Sequence, residues 1–166
     1  ALIDRGQTSI SDVNVNDGSL NAALRIGQGV GQVASGRGDD GVVVASDARQ
    51  GQMLIYTMND VVRLHQAAPT EDSPWGVTWD AKRKLAWVAS TAANSLEAYR
   101  IDSGAPVKAA HTEVPGKLRW VCDAANGALV LVTEDGKVNV YSADSVDKDI
   151  ASMKDKPAED YPVKRD

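Results

Sequence analysis

The sequence predicts an all-β fold: a partial β-propeller of about three and a half blades, each of four antiparallel strands, forming part of a seven-bladed ring. Three observations lead to this prediction. Apolar residues alternate with a period of two, turn residues such as Gly, Asn and Asp separate the runs, and the whole pattern recurs about every 43 residues. Helical repeats of similar length would lack the alternation, so the pattern favours propeller blades.

The clearest copy of the repeat is residues 74–104, which has the pattern of three short strands with turns between them. Trp75 and Trp79 alternate with small residues in the first strand, 85–90 is an apolar run, and 95–101 alternates again. A lone unit of this size cannot bury both faces of its sheet. Copies must therefore stack on either side of it.

Copies lie before and after this unit at nearly constant spacing. Tyr56 takes the place of Tyr99, and the run 42–46 takes the place of 85–89. Tyr141 occupies the same position in the next copy, with one residue fewer in the preceding turn. The predicted blade segments are about 1–27, 28–70, 71–114 and 115–145.

The two ends of the chain depart from the repeat. Residues 1–27 are predicted to form only the second half of a blade. Residues 146–166 lose the pattern, are rich in Lys and Asp, and are interrupted by Pro157 and Pro162. We therefore predict a charged, mostly irregular C-terminal tail over 146–166.

The blade count raises a question, because closed propellers typically hold four to eight blades. An unclosed propeller leaves two apolar blade faces without a partner. Either the chain is the C-terminal portion of a longer propeller, or two copies meet to complete a ring. The expected partner is accordingly the missing propeller half or a second copy of the chain.

Composition excludes several classes of protein. The formal charge of -5 comes from interspersed acids and bases, which argues against a nucleic-acid partner. No apolar run approaches the ~20 residues of a membrane span. The chain begins at Ala1 without a leader, so any targeting segment is expected to lie outside it. Cys122 is the single cysteine, which excludes an intrachain disulfide, and its apolar strand predicts a buried, inert thiol.

No catalytic set can be assembled from the sequence. His65 and His111 fall on predicted outer strands, and no Ser-His-Asp arrangement accompanies them. The carboxylates and amides expected near one end of a propeller channel lie in turns, where Asp and Asn are common for backbone reasons alone. These residues are Asp47, Asp72, Asn94, Glu134 and Asp135. We assign no catalytic residue, no metal ligand and no cofactor.

Binding is the use that the predicted architecture favours. One face of the ring collects the turns between second and third strands together with the connections between blades, so side chains there can serve a ligand or partner. The candidates are Arg49, Asp47, Trp75, Asn94, Arg119 and Trp120. The tryptophans have an alternative role in blade packing, and Arg119 has one in covering a Trp face by cation–π contact.

The repeat resembles the YVTN-type propeller repeat, at Pro74-Trp75-Gly76-Val77, Trp87-Val88-Ala89-Ser90, Asn94-Ser95 and Asp102-Ser103-Gly104. More narrowly, residues 4–9, 23–29 and 85–94 are similar to the C-terminal half of actinobacterial exported lipoproteins of the LppL family. The likeness covers about residues 1–145. The lipidated cysteine of that family has no counterpart here, since Cys122 lies deep in the repeat.

This resemblance implies a secreted, extracytoplasmic propeller of the cell envelope, held at the membrane only by a lipid anchor outside this chain. It also implies a non-catalytic binding or scaffolding role, with an envelope protein or a small ligand as partner. The alternative function is a propeller hydrolase or lactonase-like enzyme with a metal in the central channel.

Overall fold

The computed structural model describes residues 1–36, 41–58 and 61–154, which form four antiparallel sheets and one helix. The strands are β1 Leu2–Asp4, β2 Ser9–Val13 and β3 Leu20–Arg25 in sheet 1; β4 Val30–Ser35, β5 Val42–Asp47, β6 Gln52–Thr57 and β7 Arg63–Pro69 in sheet 2; β8 Pro74–Asp80, β9 Leu85–Ser90, β10 Ser95–Arg100 and β11 Val107–Glu113 in sheet 3; and β12 Leu118–Asp123, β13 Leu129–Thr133 and β14 Val138–Tyr141 in sheet 4. The helix is α1, Ala143–Lys154.

Each sheet is a meander in which consecutive strands pair, as the short turns of the sequence require. The first strands of sheets 2, 3 and 4 (β4, β8 and β12) contact one another in turn, so the sheets stack side by side. Sheet 1 has no counterpart of these first strands among the described residues. Sheet 4 has no fourth strand within that same part of the chain.

The sequence repeat is visible in the backbone as a set of left-handed residues. The turns between the second and third strands of sheets 2, 3 and 4, and the equivalent turn between β1 and β2, each have a residue with positive φ at or next to their last position: Thr8 (51°), Gly51 (63°), Asn94 (51°) and Gly136 (82°). Each of these turns reverses the chain within four residues, and one left-handed residue allows it to rejoin the ladder. The conformation recurs even where the residue is not glycine, so the turn geometry is a property of the repeat.

Three apolar clusters fill the spaces between neighbouring sheets. Trp79 packs between sheets 2 and 3, and Trp87 packs between sheets 3 and 4, both nearly inaccessible to solvent. These two tryptophans supply volume between neighbouring blades, whereas the binding candidates Trp75 and Trp120 are only partly buried and exposed, respectively. Because each cluster draws on two sheets, the stacking of the sheets supplies most of the apolar burial.

Buried tyrosines link successive sheets at equivalent positions. The hydroxyl of Tyr56 donates to the carbonyl of Arg25 at 3.1 Å, and that of Tyr99 donates to the carbonyl of Pro69 at 3.0 Å. In both cases the acceptor lies in the last strand of the preceding sheet. The hydrogen bonds fix how far one sheet slides past the next.

The C-terminal segment differs from its prediction. Residues 143–154 form α1, so an irregular tail is wrong for 146–154, while 155–166 lie outside the described residues. Val146 and Ile150, four residues apart, turn one apolar stripe of the helix toward β11. The Lys and Asp residues that stand between and beside these two positions hid the spacing in the sequence.

Polar contacts hold α1 in place at both ends of its apolar stripe. Asp147 accepts a hydrogen bond from the Nε of Arg83 at 2.7 Å, and this bond lowers the pKa of the Asp147 carboxyl. Asp149 accepts hydrogen bonds from Tyr141 and Thr112. The helix therefore joins sheets 3 and 4. It falls short of the length and hydropathy of a membrane-crossing helix, and it is the one helix in the described ranges.

Cys122 also departs from its prediction, because its thiol is exposed rather than buried. The residue does lie in an apolar strand, as expected. The face of β12 that carries Cys122, however, is the one that no other described sheet covers.

Candidate functional site

The turns between second and third strands meet the connections between sheets at one end of the molecule. Backbone hydrogen bonds join them in three successive sheets: Ala48 N to Gly29 O (2.9 Å), Thr91 N to Ser73 O (2.9 Å) and Glu134 N to Lys117 O (2.8 Å). We call this end the connection face. Residues distant in sequence are thereby held together on a rigid backbone, which is the arrangement that binding loops need.

Asp47, a predicted binding residue, is a buried cap within this face. Its carboxylate accepts backbone hydrogen bonds from Gln28 (2.8 Å), Gly29 (3.0 Å), Arg49 (3.2 Å) and Gln50 (3.2 Å). Asp4 makes the equivalent contact in sheet 1, accepting from Gln7 N at 3.0 Å. Asp47 therefore fixes the turn and connection, and its oxygens face the backbone rather than solvent.

Asn94, another predicted binding residue, closes the corresponding turn of sheet 3. With its amide nitrogen turned toward two carbonyls, the side chain donates to Gly116 O at 2.6 Å and to Thr91 O at 3.2 Å. Its left-handed backbone, with φ of 51°, suits Asn better than most residues. The side chain thus ties the turn to the next connection.

Trp75, Arg119 and Trp120 do come together, as the sequence suggested, and Arg5 joins them. The guanidinium carbon of Arg119 lies 3.5 Å from the centroid of the Trp75 ring and 5.9 Å from that of Trp120. The guanidinium of Arg5 lies 5.7 Å from the Trp75 ring. We call these four residues the rim cluster. It places two cations against one half-buried indole.

Close approach of the first strands positions the rim cluster. A Cβ on Gly76 would lie 2.6 Å from the carbonyl oxygen of Arg119, so glycine is required for β8 to approach β12. On the other side, the hydroxyl of Ser46 donates to Trp75 O at 2.6 Å. The Trp75 backbone is thereby fixed between sheets 2 and 4.

Arg49 lines a polar cleft of about 510 Å³ beside the rim cluster. The other lining residues are Gly6, Gln7, Thr8, Ser9, Ala23, Leu24, Arg25 and Gln28. We call this the rim cleft. Its lining holds two arginines and no carboxylate, and both arginines are exposed. Neither forms an ion pair with another described residue, so their guanidinium groups are available to a ligand.

Arg5, Arg25 and Gln28 were missed from the sequence. For Arg5 a signal existed, because the repeat aligns the turn 5–8 with 48–51, the turn that contains Arg49. For Arg25 there was none, since it belongs to a strand rather than a turn. Its guanidinium reaches the connection face because β3 ends there.

The described residues provide no group of three His, Cys, Asp or Glu that could hold a metal ion. Among the predicted channel carboxylates, Asp135 forms an ion pair with Lys137 at 2.7 Å and accepts a hydrogen bond from the hydroxyl of Thr133. Hydrogen bonds from Lys137 and then Thr133 lower the pKa of Asp135 to about 2. His65 and His111 lie on β7 and β11, outer strands as predicted, with His111 4.0 Å from Glu71.

No family model and no curated protein matches the sequence, whereas solved structures match the fold. The chain is similar to hydrazine synthase from Kuenenia stuttgartiensis, with a TM-score of 0.71 and 15% identity over 89% of this chain and 42% of that one. It is also similar to a protein of unknown function from Desulfotomaculum acetoxidans, with a TM-score of 0.67 and 10% identity over 82% of this chain and 48% of that one.

A catalytically inactive virginiamycin B lyase from Staphylococcus aureus is similar too, with a TM-score of 0.58 and 17% identity over 83% of this chain and 50% of that one. The chain thus spans half or less of the length of these neighbours. Hydrazine synthase and the lyase are β-propellers, and the prediction of a partial β-propeller is confirmed.

Proposed function

We propose that the chain is a non-catalytic binding or scaffolding propeller of the cell envelope, and that its connection face takes an anionic ligand. One observation carries the proposal: Arg25 and Arg49 line an open polar cleft whose walls contain no carboxylate. This is unusual in a chain with a formal charge of -5, where acids outnumber bases. A local excess of positive charge attracts anions in spite of the overall charge.

The chemistry of the rim cleft favours a carboxylate or a phosphate-type group. A guanidinium presents its N–H donors in a planar fork that matches two oxygens of such an anion. The side chains of Gln7, Thr8, Ser9 and Gln28 add neutral hydrogen-bonding groups around the two cations. The neighbouring rim cluster supplies an aromatic surface for any apolar part of the ligand.

The cell-envelope part of the proposal draws on the resemblance to exported lipoproteins described above. A secreted, lipid-anchored parent protein would present the connection face to ligands outside the plasma membrane. Anionic groups on envelope polymers or on acidic protein segments are the class of partner that the rim cleft would accept.

The test is a titration of the purified chain with inorganic phosphate and with citrate, followed by two-dimensional NMR. We expect shifts confined to the rim cleft and a Kd of about 1 mM for phosphate. The double variant Arg25→Ala/Arg49→Ala should weaken binding by about tenfold or more. Arg63→Ala, which removes an exposed arginine from the outer strand β7, should leave it unchanged. Equal binding by the double variant and wild type would refute the assignment.

A propeller hydrolase or lactonase-like enzyme with a channel metal is the second candidate, and some structures of similar fold, such as virginiamycin B lyase, are enzymes. A thermal melt with divalent ions discriminates between the two. An ion bound to the folded state alone, at tenfold excess over its Kd, should add about 1.4 kcal/mol to the free energy of unfolding. Absence of a shift with Ca²⁺, Mg²⁺, Mn²⁺ and Zn²⁺ would exclude this candidate.

A further inference from the structure

Sheet 4 carries an apolar face that no described sheet covers. Cross-strand pairing arranges its side chains in two rows, Trp120–Val132–Val138 and Cys122–Val130–Val140. Residues that pair directly share one face of a sheet, so all six side chains point the same way. We call them the open face. Val138 and Val140 are 62% and 70% exposed, and Trp120 is 38% exposed.

The same positions are buried in sheet 3. There Trp87 pairs with Ala98, and Ala89 pairs with Leu96. All four are at most 1% exposed, because sheet 4 covers them in the apolar cluster between the two sheets. The repeat aligns Trp87 with Val130 and Ala89 with Val132. The open face is thus the equivalent, in sheet 4, of a face that in sheet 3 is buried against the next sheet.

The opposite end of the stack has a different chemistry. On the outward face of sheet 1 the rows are Leu2–Ser11–Ala23 and Asp4–Ser9–Arg25. A head-to-tail assembly would thus press the valines of the open face against a carboxylate and a guanidinium, and the valines offer neither group a charge or a hydrogen bond in place of the water that is lost. The open face itself contains no charged side chain, so two copies of it can meet without repulsion.

We propose that the open face is an isologous interface, at which two copies of the chain pack sheet 4 against sheet 4 about a two-fold axis. The strands are about 4.8 Å apart and each residue adds about 3.4 Å along them, so three strands of four to six residues give a small contact. Such an area lies below the usual range for stable dimers, and we expect a Kd of about 10–100 µM. The arrangement leaves both rim clefts open.

The experiment is sedimentation velocity over about 5–500 µM, together with the rate at which Ellman's reagent modifies Cys122. Wild type should pass from monomer to dimer, and the thiol should react several-fold more slowly in the dimer. Val138→Lys/Val140→Lys should remain monomeric at every concentration, with an unchanged urea midpoint because both side chains are exposed in the monomer.

Two exposed apolar residues elsewhere provide matched controls. Val107→Lys, on β11, and Leu2→Lys, on the outward face of sheet 1, should dimerise as wild type does. Loss of dimerisation in Leu2→Lys would establish head-to-tail packing and overturn the proposal. A wild-type chain that stays monomeric to about 500 µM would also overturn it, and would leave a further propeller blade as the surface that covers this face.

Discussion

The guanidinium of Arg119 stacks on the indole of Trp75 at 3.5 Å, across the junction between the first strands of sheets 3 and 4. The same guanidinium lies 3.8 Å from Glu134, and its side chain is 25% exposed. A planar cation on an aromatic face gains from both electrostatic attraction and contact area. The stack therefore joins two sheets at the connection face.

Replacing Arg119 by Ala should lower the free energy of unfolding by about 1–2 kcal/mol, because a partly desolvated cation–π contact and the packing of the aliphatic stem are both lost. The free energy of unfolding of Arg119→Lys should lie between those of wild type and Arg119→Ala, since an ammonium retains the charge without the planar stack. Urea unfolding followed by Trp fluorescence measures both. Lys117→Ala is the control, because Lys117 lies 3.9 Å from the same Glu134 but is 74% exposed. A similar loss in Lys117→Ala would show that the ion pair, rather than the ring, stabilises this junction.

Ser73 and Gly116 occupy equivalent connections and both have positive φ, 58° and 85°. Ser73→Gly should raise the free energy of unfolding by about 0.5–1 kcal/mol, because relief of left-handed strain exceeds the added backbone entropy. Gly116→Ala should lower it by about 1–2 kcal/mol, since the new Cβ also lies 3.3 Å from Thr133.

Ser73→Ala separates the backbone effect from loss of the hydroxyl, and it should be close to neutral. Thermal and urea melts of the three variants provide the comparison. Destabilisation by Ser73→Gly would show that the connection is held by side-chain contacts and not limited by its backbone conformation.

The repeat itself could be predicted from the sequence because alternation and turn residues are local signals. The stacking followed from it, since a sheet with apolar side chains on both faces, such as sheet 3, needs a neighbour on each side. Residues that depend on which face is covered were less predictable. The apolar neighbours of Cys122 in the sequence are the same whether its side of the sheet is buried or open. Cys122 is exposed because sheet 4 is the last described sheet of the stack and no sheet covers that side.

Part of the candidate site followed from the sequence in the same way. Arg49, Trp75 and Arg119 lie in turns or at the starts of strands, and the period places these on one face. Asp47 lies there too, but the period gives position and not side-chain direction, so its role as a buried cap was invisible. Helix α1 was missed because its two apolar anchors pack against sheet 3 rather than continuing the repeat.

A buried ion pair in sheet 3 interrupts the repeat at Glu97, whose counterpart in sheet 2 is Leu54. The Glu97 side chain is fully buried and lies 2.5 Å from the ammonium of Lys108. It also accepts hydrogen bonds from Tyr99 (3.1 Å) and from the backbone of Glu71 (2.9 Å). Removing one member of such a pair leaves an uncompensated buried charge.

Glu97→Leu and Lys108→Met should each therefore cost about 3–5 kcal/mol in the free energy of unfolding. The double variant should cost less than either single change, because no unpaired charge remains and residue 97 becomes the leucine found in sheet 2. Urea unfolding of all four proteins gives the coupling free energy. Additive losses would contradict a coupled pair and would assign the effect of Glu97 to its hydrogen bonds.

Tyr56 provides a prediction for alkaline pH. Burial, with a smaller contribution from the negative charge of Asp47, raises the pKa of its phenol to about 12. The ordinary value is 10.0, so the unfolded chain releases this proton first. The contribution of the Tyr56 phenol to the free energy of unfolding is complete below pH 10 and is lost as the pH rises from about 10 to about 12.

Tyr56→Phe removes this titration together with the hydrogen bond to Arg25 O, which is worth about 1 kcal/mol. At pH 8 the variant should be the less stable protein by about that amount. At pH 11 the difference in the free energy of unfolding should narrow or reverse. Only the unfolded state of wild type is then stabilised by releasing the phenol proton. Paired urea melts at the two pH values isolate the effect, because every other titrating group is common to both proteins. A gap that stays constant between pH 8 and pH 11 would mean that the phenol titrates alike in the folded and unfolded chains.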